Sequence, residues 1–303
     1  MTRERHEIDV PVSGGMLHVG VWEAEAADAP TALLIHGVTS SHLAWPFVAD
    51  RLPGVRLIAP DLRGRGRSNA LPGPAGMAAH AADMVALLDA LGIERTVVVG
   101  HSMGAFVSVV LADLHPDRVS SLVLIDGGFP LDVPAGLDPD TAIRLVLGPT
   151  AERLDMRFAS TEDYLDFWRA HPAFVHAWTP ELEAYLAYDL VDDGDGGLRP
   201  ATAYATVVDD TVDMNTGTTV PDALRRLRQP MRLLTVPRGL QDEEPGLYPP
   251  AYLGRLLEAY PAVAHRRIEG FNHYTIVMSP EGADVVASGI EAAVSAVPTR
   301  SAS

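Results

Sequence analysis

The sequence predicts an α/β protein built on a mostly parallel, doubly wound sheet. Three observations carry this expectation. Largely apolar runs, Thr31–Ile35 and Val119–Ile125 among them, recur along the chain, and strands apolar on both sides belong to sheets covered by helices on both faces. Amphipathic stretches separate them: residues 77–91 place Met84, Leu87, Leu88 and Leu91 on one face, and Gly92 closes the stretch. Finally, the β-branched run 96–99 passes through Gly100-His101-Ser102-Met103-Gly104 directly into a second helical stretch, which reads as strand, sharp turn, helix.

The remaining elements follow in order. Residues 7–12 and 16–22 alternate around Ser13-Gly14-Gly15, as in a β-hairpin. Strand Thr31–Ile35 ends at His36-Gly37, and a helix is expected over 42–52, stopped by Pro53-Gly54. Strand 55–59 ends at Pro60-Asp61, and Gly64, Gly66 and Pro72-Gly73-Pro74 make the next connection a long loop. After Val119–Ile125 the alternation breaks. Residues 129–227 are rich in Asp, Pro, Tyr and Trp and read as a helical insertion lying over the sheet. The alternation resumes with strand 231–236, helix 250–259, strand 265–268 and helix 282–297, so 1–128 and 228–297 form the core and 298–303 a disordered tail.

Composition narrows the chemistry. The chain has 303 residues and 47% hydrophobic content, enough for a sizeable core. It has no cysteine, which excludes disulfides and thiolate metal sites. All 23 basic residues are arginine, which excludes a Schiff-base lysine. A net charge of −17 argues against nucleic-acid partners and anionic membrane surfaces. No signal peptide or membrane-spanning run is visible, and the expectation is a cytoplasmic protein acting on a small molecule.

Ser102 stands at the apex of the turn with glycines two positions to either side, where missing Cβ atoms let strand and helix approach. Serine needs a base, usually a histidine oriented by a carboxylate. His273, in Gly270-Phe271-Asn272-His273-Tyr274, lies after the last strand on the same edge of the sheet as Ser102. An acyl-transfer oxyanion needs two backbone N–H donors. Met103, directly after the serine, and Val38, in the His36-Gly37-Val38 loop, are the candidates. For the carboxylate, Asp242 is favoured and Asp126 is the alternative, with Glu243 and Glu244 behind them; the first two both follow strand ends.

Other signals are weaker. His171 and His176 lack metal-ligand spacing and no H-E-x-x-H occurs, so no metal and no cofactor is expected. Gly64-Arg65-Gly66 lacks a third glycine and the helix start of a dinucleotide site. Trp168, Phe174, Trp178, Tyr185 and Tyr188 form the insertion's own core or line an apolar pocket. Gly37, Trp45, Trp178 and Tyr274 are the candidate substrate contacts.

Together the hairpin, His36-Gly37, the loop Asp61-Leu62-Arg63-Gly64-Arg65-Gly66-Arg67-Ser68, the Gly100–Gly104 turn and Asn272-His273 resemble the α/β-hydrolase superfamily. The resemblance spans nearly the whole chain outside the insertion. It implies an α/β-hydrolase fold with a cap inserted after the sixth strand, and a bracing role for residues 61–68. It departs at the acid loop, where Pro237-Arg238 precede Gly239 and a proline-rich run from 245 to 250 follows, so the family's short G-x-x-D loop is lengthened.

The implied activity is hydrolysis of an ester or lactone by a Ser-His-Asp triad. The alternatives are a C–C bond hydrolase, a cofactor-free dioxygenase, and a non-catalytic small-molecule receptor. Haloalkane dehalogenases and epoxide hydrolases of this superfamily carry aspartate at the apex, where this chain has Ser102.

Overall fold

The computed structural model describes residues 3–134 and 138–296, and the expected tail at 298–303 lies outside the described residues. An eight-stranded sheet forms the centre. Its strands are β1 (His6–Val12), β2 (Gly15–Trp22), β3 (Thr31–Ile35), β4 (Arg56–Pro60), β5 (Thr96–His101), β6 (Val119–Ile125), β9 (Met231–Thr235) and β10 (Val263–Arg267), in the order β1-β2-β4-β3-β5-β6-β9-β10. The β1–β2 hairpin and the β2–β4 pair are antiparallel, and every later pair is parallel. Every residue of β5 and β6 is buried, as the continuous apolar runs require.

Helices cover the sheet: α1 (Pro46–Asp50), α2 (Met77–Ala90), α3 (Met103–Leu114), α10 (Pro250–Ala259), α11 (Thr275–Met278) and α12 (Pro280–Ser295). The helix expected over 42–52 is instead a tight turn, His42–Ala44, followed by α1. Pro46 is the cause. It cannot donate back into a preceding turn, and it suits the first position of a new helix.

Between β6 and β9 the described elements are α4 (Pro139–Leu147), α5 (Pro149–Glu152), α6 (Thr161–Arg169), α7 (Pro180–Tyr188), the short antiparallel pair β7 (Leu190–Asp192) and β8 (Leu198–Pro200), α8 (Tyr204–Thr216) and α9 (Thr219–Arg226). Ser160 and Thr179 cap α6 and α7 through their side-chain oxygens. The small β7–β8 sheet closes the Asp- and Gly-rich turn between them. Helix α9 packs on α3, and Arg226 pairs with Asp113, so the last helix before β9 lies in the core's own helical layer. Among the described residues no helix is long and apolar enough to cross a membrane.

Candidate active site

Ser102 sits between β5 and α3 with φ 55° and ψ −125°, a backbone that a non-glycine residue adopts only when its surroundings enforce it. Two close approaches do so. A Cβ on Gly104 would lie 2.0 Å from the Ile35 carbonyl oxygen, and one on Gly127 would lie 2.2 Å from the Ser102 carbonyl oxygen. The Ser102 N–H donates to the Ile125 carbonyl at 2.9 Å, which ties the apex to the end of β6. Gly37 brings the loop after β3 against the serine: a Cβ there would stand 3.1 Å from Ser102 Cβ and 3.4 Å from its Oγ. Met103 opens α3, and the first N–H groups of a helix lack intrahelical acceptors.

His273 is buried, and its Nδ1 lies 2.7 Å from Asp126 Oδ2. A carboxylate only accepts, so Nδ1 carries the proton and Nε2 keeps its lone pair when the ring is neutral. Asp126 is fully buried directly after β6, with φ 44°, and its N–H donates to the Leu234 carbonyl at 2.7 Å.

The favoured Asp242 does not meet His273. Arg238, four residues upstream, donates to its Oδ2 at 3.0 Å, and Asn272 Nδ2 donates to its Oδ1 at 2.9 Å. The lengthened loop after β9 thus spends this carboxylate on its own arginine and on the loop that carries His273. Asn272 continues the link, since its Oδ1 accepts from the N–H groups of Tyr274 and Thr275.

Ser102, His273, Gly37 and Val38 line one pocket, with Tyr185, Leu147, Leu240 and Tyr274. Tyr185 and Leu147 come from the segment between β6 and β9. Of the four expected substrate contacts, Gly37 and Tyr274 line this pocket. Trp45 and Trp178 do not. Trp45 is fully buried in the core. Trp178 donates its Nε1–H to Glu183 and lies under the Arg169 guanidinium, 5.1 Å from the ring centroid.

Two residues at the site escaped the sequence reading. His101, beside Ser102, places Nε2 2.8 Å from the His273 carbonyl oxygen and its ring 4.7 Å from the His273 ring. Burial and the neighbouring His273 hold its pKa well below the ordinary histidine value, so it stays neutral. The second is Arg65, fully buried, whose Nε donates to the Val38 carbonyl at 2.8 Å and whose guanidinium pairs with Asp210 of α8. Asp210 also meets His80 Nε2 at 3.0 Å and the Gly76 N–H at 2.6 Å. Burial alone would raise the Asp210 pKa, but Arg65 and His80 outweigh it and hold the carboxyl well below the usual range.

Residues 61–68 lie at the centre of this bracing. Asp61 accepts from the His42 N–H and from Tyr188 of α7 at 2.8 and 2.7 Å, and Arg63 pairs with Asp83.

Comparison with known proteins agrees with this architecture. The profile of the alpha/beta hydrolase fold matches residues 30–169. The chain has the alpha/beta hydrolase fold. In sequence it is 44% identical over 100 residues to the lipase LipV of Mycobacterium tuberculosis, covering 33% of this chain and 38% of the lipase. It is 37% identical over 120 residues to epoxide hydrolase 2 of Siraitia grosvenorii, covering 38% and 36%. The matched segments thus span little more than a third of these relatives. Among solved structures, E-2-(acetamidomethylene)succinate hydrolase superposes with a TM-score of 0.78 at 21% identity, covering 97% of this chain and 100% of that one. The thioesterase domain from the curacin biosynthetic pathway gives 0.72 at 19%, covering 95% and 99%. At such identities the likeness is one of fold.

Proposed function

We propose that this α/β-hydrolase cleaves carboxylic esters or lactones through Ser102, His273 and Asp126. The observation that carries the reading is the His273–Asp126 hydrogen bond at 2.7 Å, made on the pocket that Ser102 also lines. It supports a neutral imidazole whose Nε2 lone pair is free to take a proton from the serine.

In this reading His273 removes the Ser102 proton as Oγ attacks the substrate carbonyl. The oxyanion forms against the N–H groups of Met103 and Val38. His273 then passes the proton to the leaving alkoxide, which departs as an alcohol or, in a lactone, stays attached as a hydroxyl. Water, deprotonated by His273, attacks the acyl-enzyme; His273 returns the proton to Ser102 and the acid leaves. Asp126 stabilises the imidazolium and fixes its tautomer without taking its proton. The apex serine sets this reading apart from an epoxide hydrolase, despite the identity shared with that relative.

An alkyl fluorophosphonate should label the protein once, at Ser102, by peptide mass spectrometry. p-Nitrophenyl esters or lactones should turn over, with Ser102→Ala inactive. A folded protein that takes no label and turns over neither substrate class contradicts the proposal.

A further inference from the structure

On the hairpin side of the sheet, away from the Ser102 pocket, three side chains converge whose arrangement the proposed chemistry does not use. Glu7 stands on β1, His18 on β2, and His42 in the turn after β3. One ligand atom from each lies within 4.8 Å of the others. His18 Nε2 is 3.4 Å and His42 Nε2 3.5 Å from the Glu7 carboxylate.

The tautomers of both histidines are set from behind. His18 Nδ1 is 2.9 Å from Asp9 Oδ1, and His42 Nδ1 is 2.8 Å from Asp61 Oδ1. Each Nδ1 must carry a proton, so in a neutral ring each Nε2 presents a lone pair to the shared space. Neither Nε2 makes a hydrogen bond, although both are buried, and the His42 side chain is 0% exposed. Two lone pairs and a carboxylate converging on one point repel each other unless a proton or a metal cation lies between them. A carboxylate behind each imidazole is the usual second shell of a metal-ligating histidine.

His42 is also seated by shape: a Cβ on Gly20 would lie 2.5 Å from its Cδ2. The edge of the His42 ring relation to Tyr188 closes another side, with centroids 5.1 Å apart.

We propose that Glu7, His18 and His42 bind one divalent first-row transition ion, with Zn²⁺ the best match, and that the ion staples the β1–β2 hairpin to the loop after β3. Two imidazoles and one carboxylate suit zinc and disfavour magnesium or calcium, which prefer all-oxygen shells. Zinc–nitrogen bonds of about 2.0–2.1 Å put ligand atoms roughly 3.4 Å apart, so the histidines must close by up to about 1.4 Å. His18, 14% exposed against 0% for His42, is the less confined of the two rings and the one that must shift. Arg5, which donates to Glu7 at 2.9 Å, competes for the carboxylate and must yield one oxygen.

The test uses tag-free, EDTA-stripped protein. Calorimetric titration should show one equivalent of Zn²⁺ bound at micromolar affinity or better, and the melting temperature should rise with Zn²⁺ but not with Mg²⁺. Co²⁺ should give the visible absorption of a low-coordinate site. His18→Gln and Glu7→Gln should each weaken Zn²⁺ binding at least tenfold while keeping the parent's far-ultraviolet spectrum. His18 lies on the rim and Glu7 is exposed, so these variants test the site even if His42→Gln fails to fold. No stoichiometric binding, or binding that both variants retain, overturns the proposal. So does a cluster that responds only to acid, with stability rising on protonation and no effect of zinc.

Discussion

Strands β3, β5 and β6 meet around Ser102 through apolar side chains and glycines, whereas the insertion reaches the same edge of the sheet through buried ions. On the strand side, contact is a matter of shape: Gly104 lies against the Ile35 carbonyl and Gly127 against Ser102. On the insertion side, Arg65 pairs with Asp210, Tyr188 donates to Asp61, and the Arg67 guanidinium lies 4.2 Å from the Tyr188 ring centroid. The first arrangement holds the serine in a strained backbone by close approach rather than by charge. In the second, the buried Arg65–Asp210 pair needs both partners, because removing one leaves the other buried and uncompensated.

That contrast is breakable. Gly104→Ala should have the largest effect, since its Cβ has only backbone to displace: no soluble protein, or one whose urea midpoint falls further than that of any other variant, is expected. If Gly104→Ala folds with parent stability, shape does not hold the turn. Asp210→Ala should cost about 3–5 kcal/mol, because it strands Arg65. A loss below about 1 kcal/mol would mean that the insertion is not fastened by this pair.

Acid should sharpen the comparison by a smaller amount. His36 Nε2 accepts from the Leu62 N–H at 2.9 Å, and burial pushes its pKa down to about 4 against the opposing Asp61 charge and its bond to Gly37. An unfolded histidine titrates near 6.5. Between those values the unfolded chain binds a proton that the folded one refuses, so this contribution to stability is present above about pH 6.5 and is lost as pH falls toward 4. Urea midpoints at pH 7.5 and 5 should show the drop, and His36→Gln should reduce it. An equal drop in the variant would remove His36 from the account.

The same contrast explains what could be read from the residues. The apolar strands announce their own burial, and the glycines flanking Ser102 announce a close approach. The fold, the serine turn and the position of His273 after the last strand were therefore legible. Charges that pair across the chain leave no local pattern: nothing near Arg65 points to Asp210, and nothing near His18 points to His42.

Asp126 and Asp242 look alike in sequence because both follow strand ends. Arg238 and Asn272 occupy Asp242, and only the fold brings them to it. Trp178 illustrates the opposite error. Its aromatic ring suggested a pocket wall, but an indole beside Glu183 and Arg169 serves the insertion's own packing.

The central claim is that Asp126 orients His273 while Asp242 supports the loop that carries it. It is tested most directly by ester turnover in Asp126→Asn and Asp242→Asn, measured beside the parent. The account predicts a fall in kcat of about 10⁴-fold for Asp126→Asn, the scale seen when a triad aspartate is lost. For Asp242→Asn it predicts a change of no more than a few fold. The reverse ranking, with Asp242→Asn crippled and Asp126→Asn active, would contradict it.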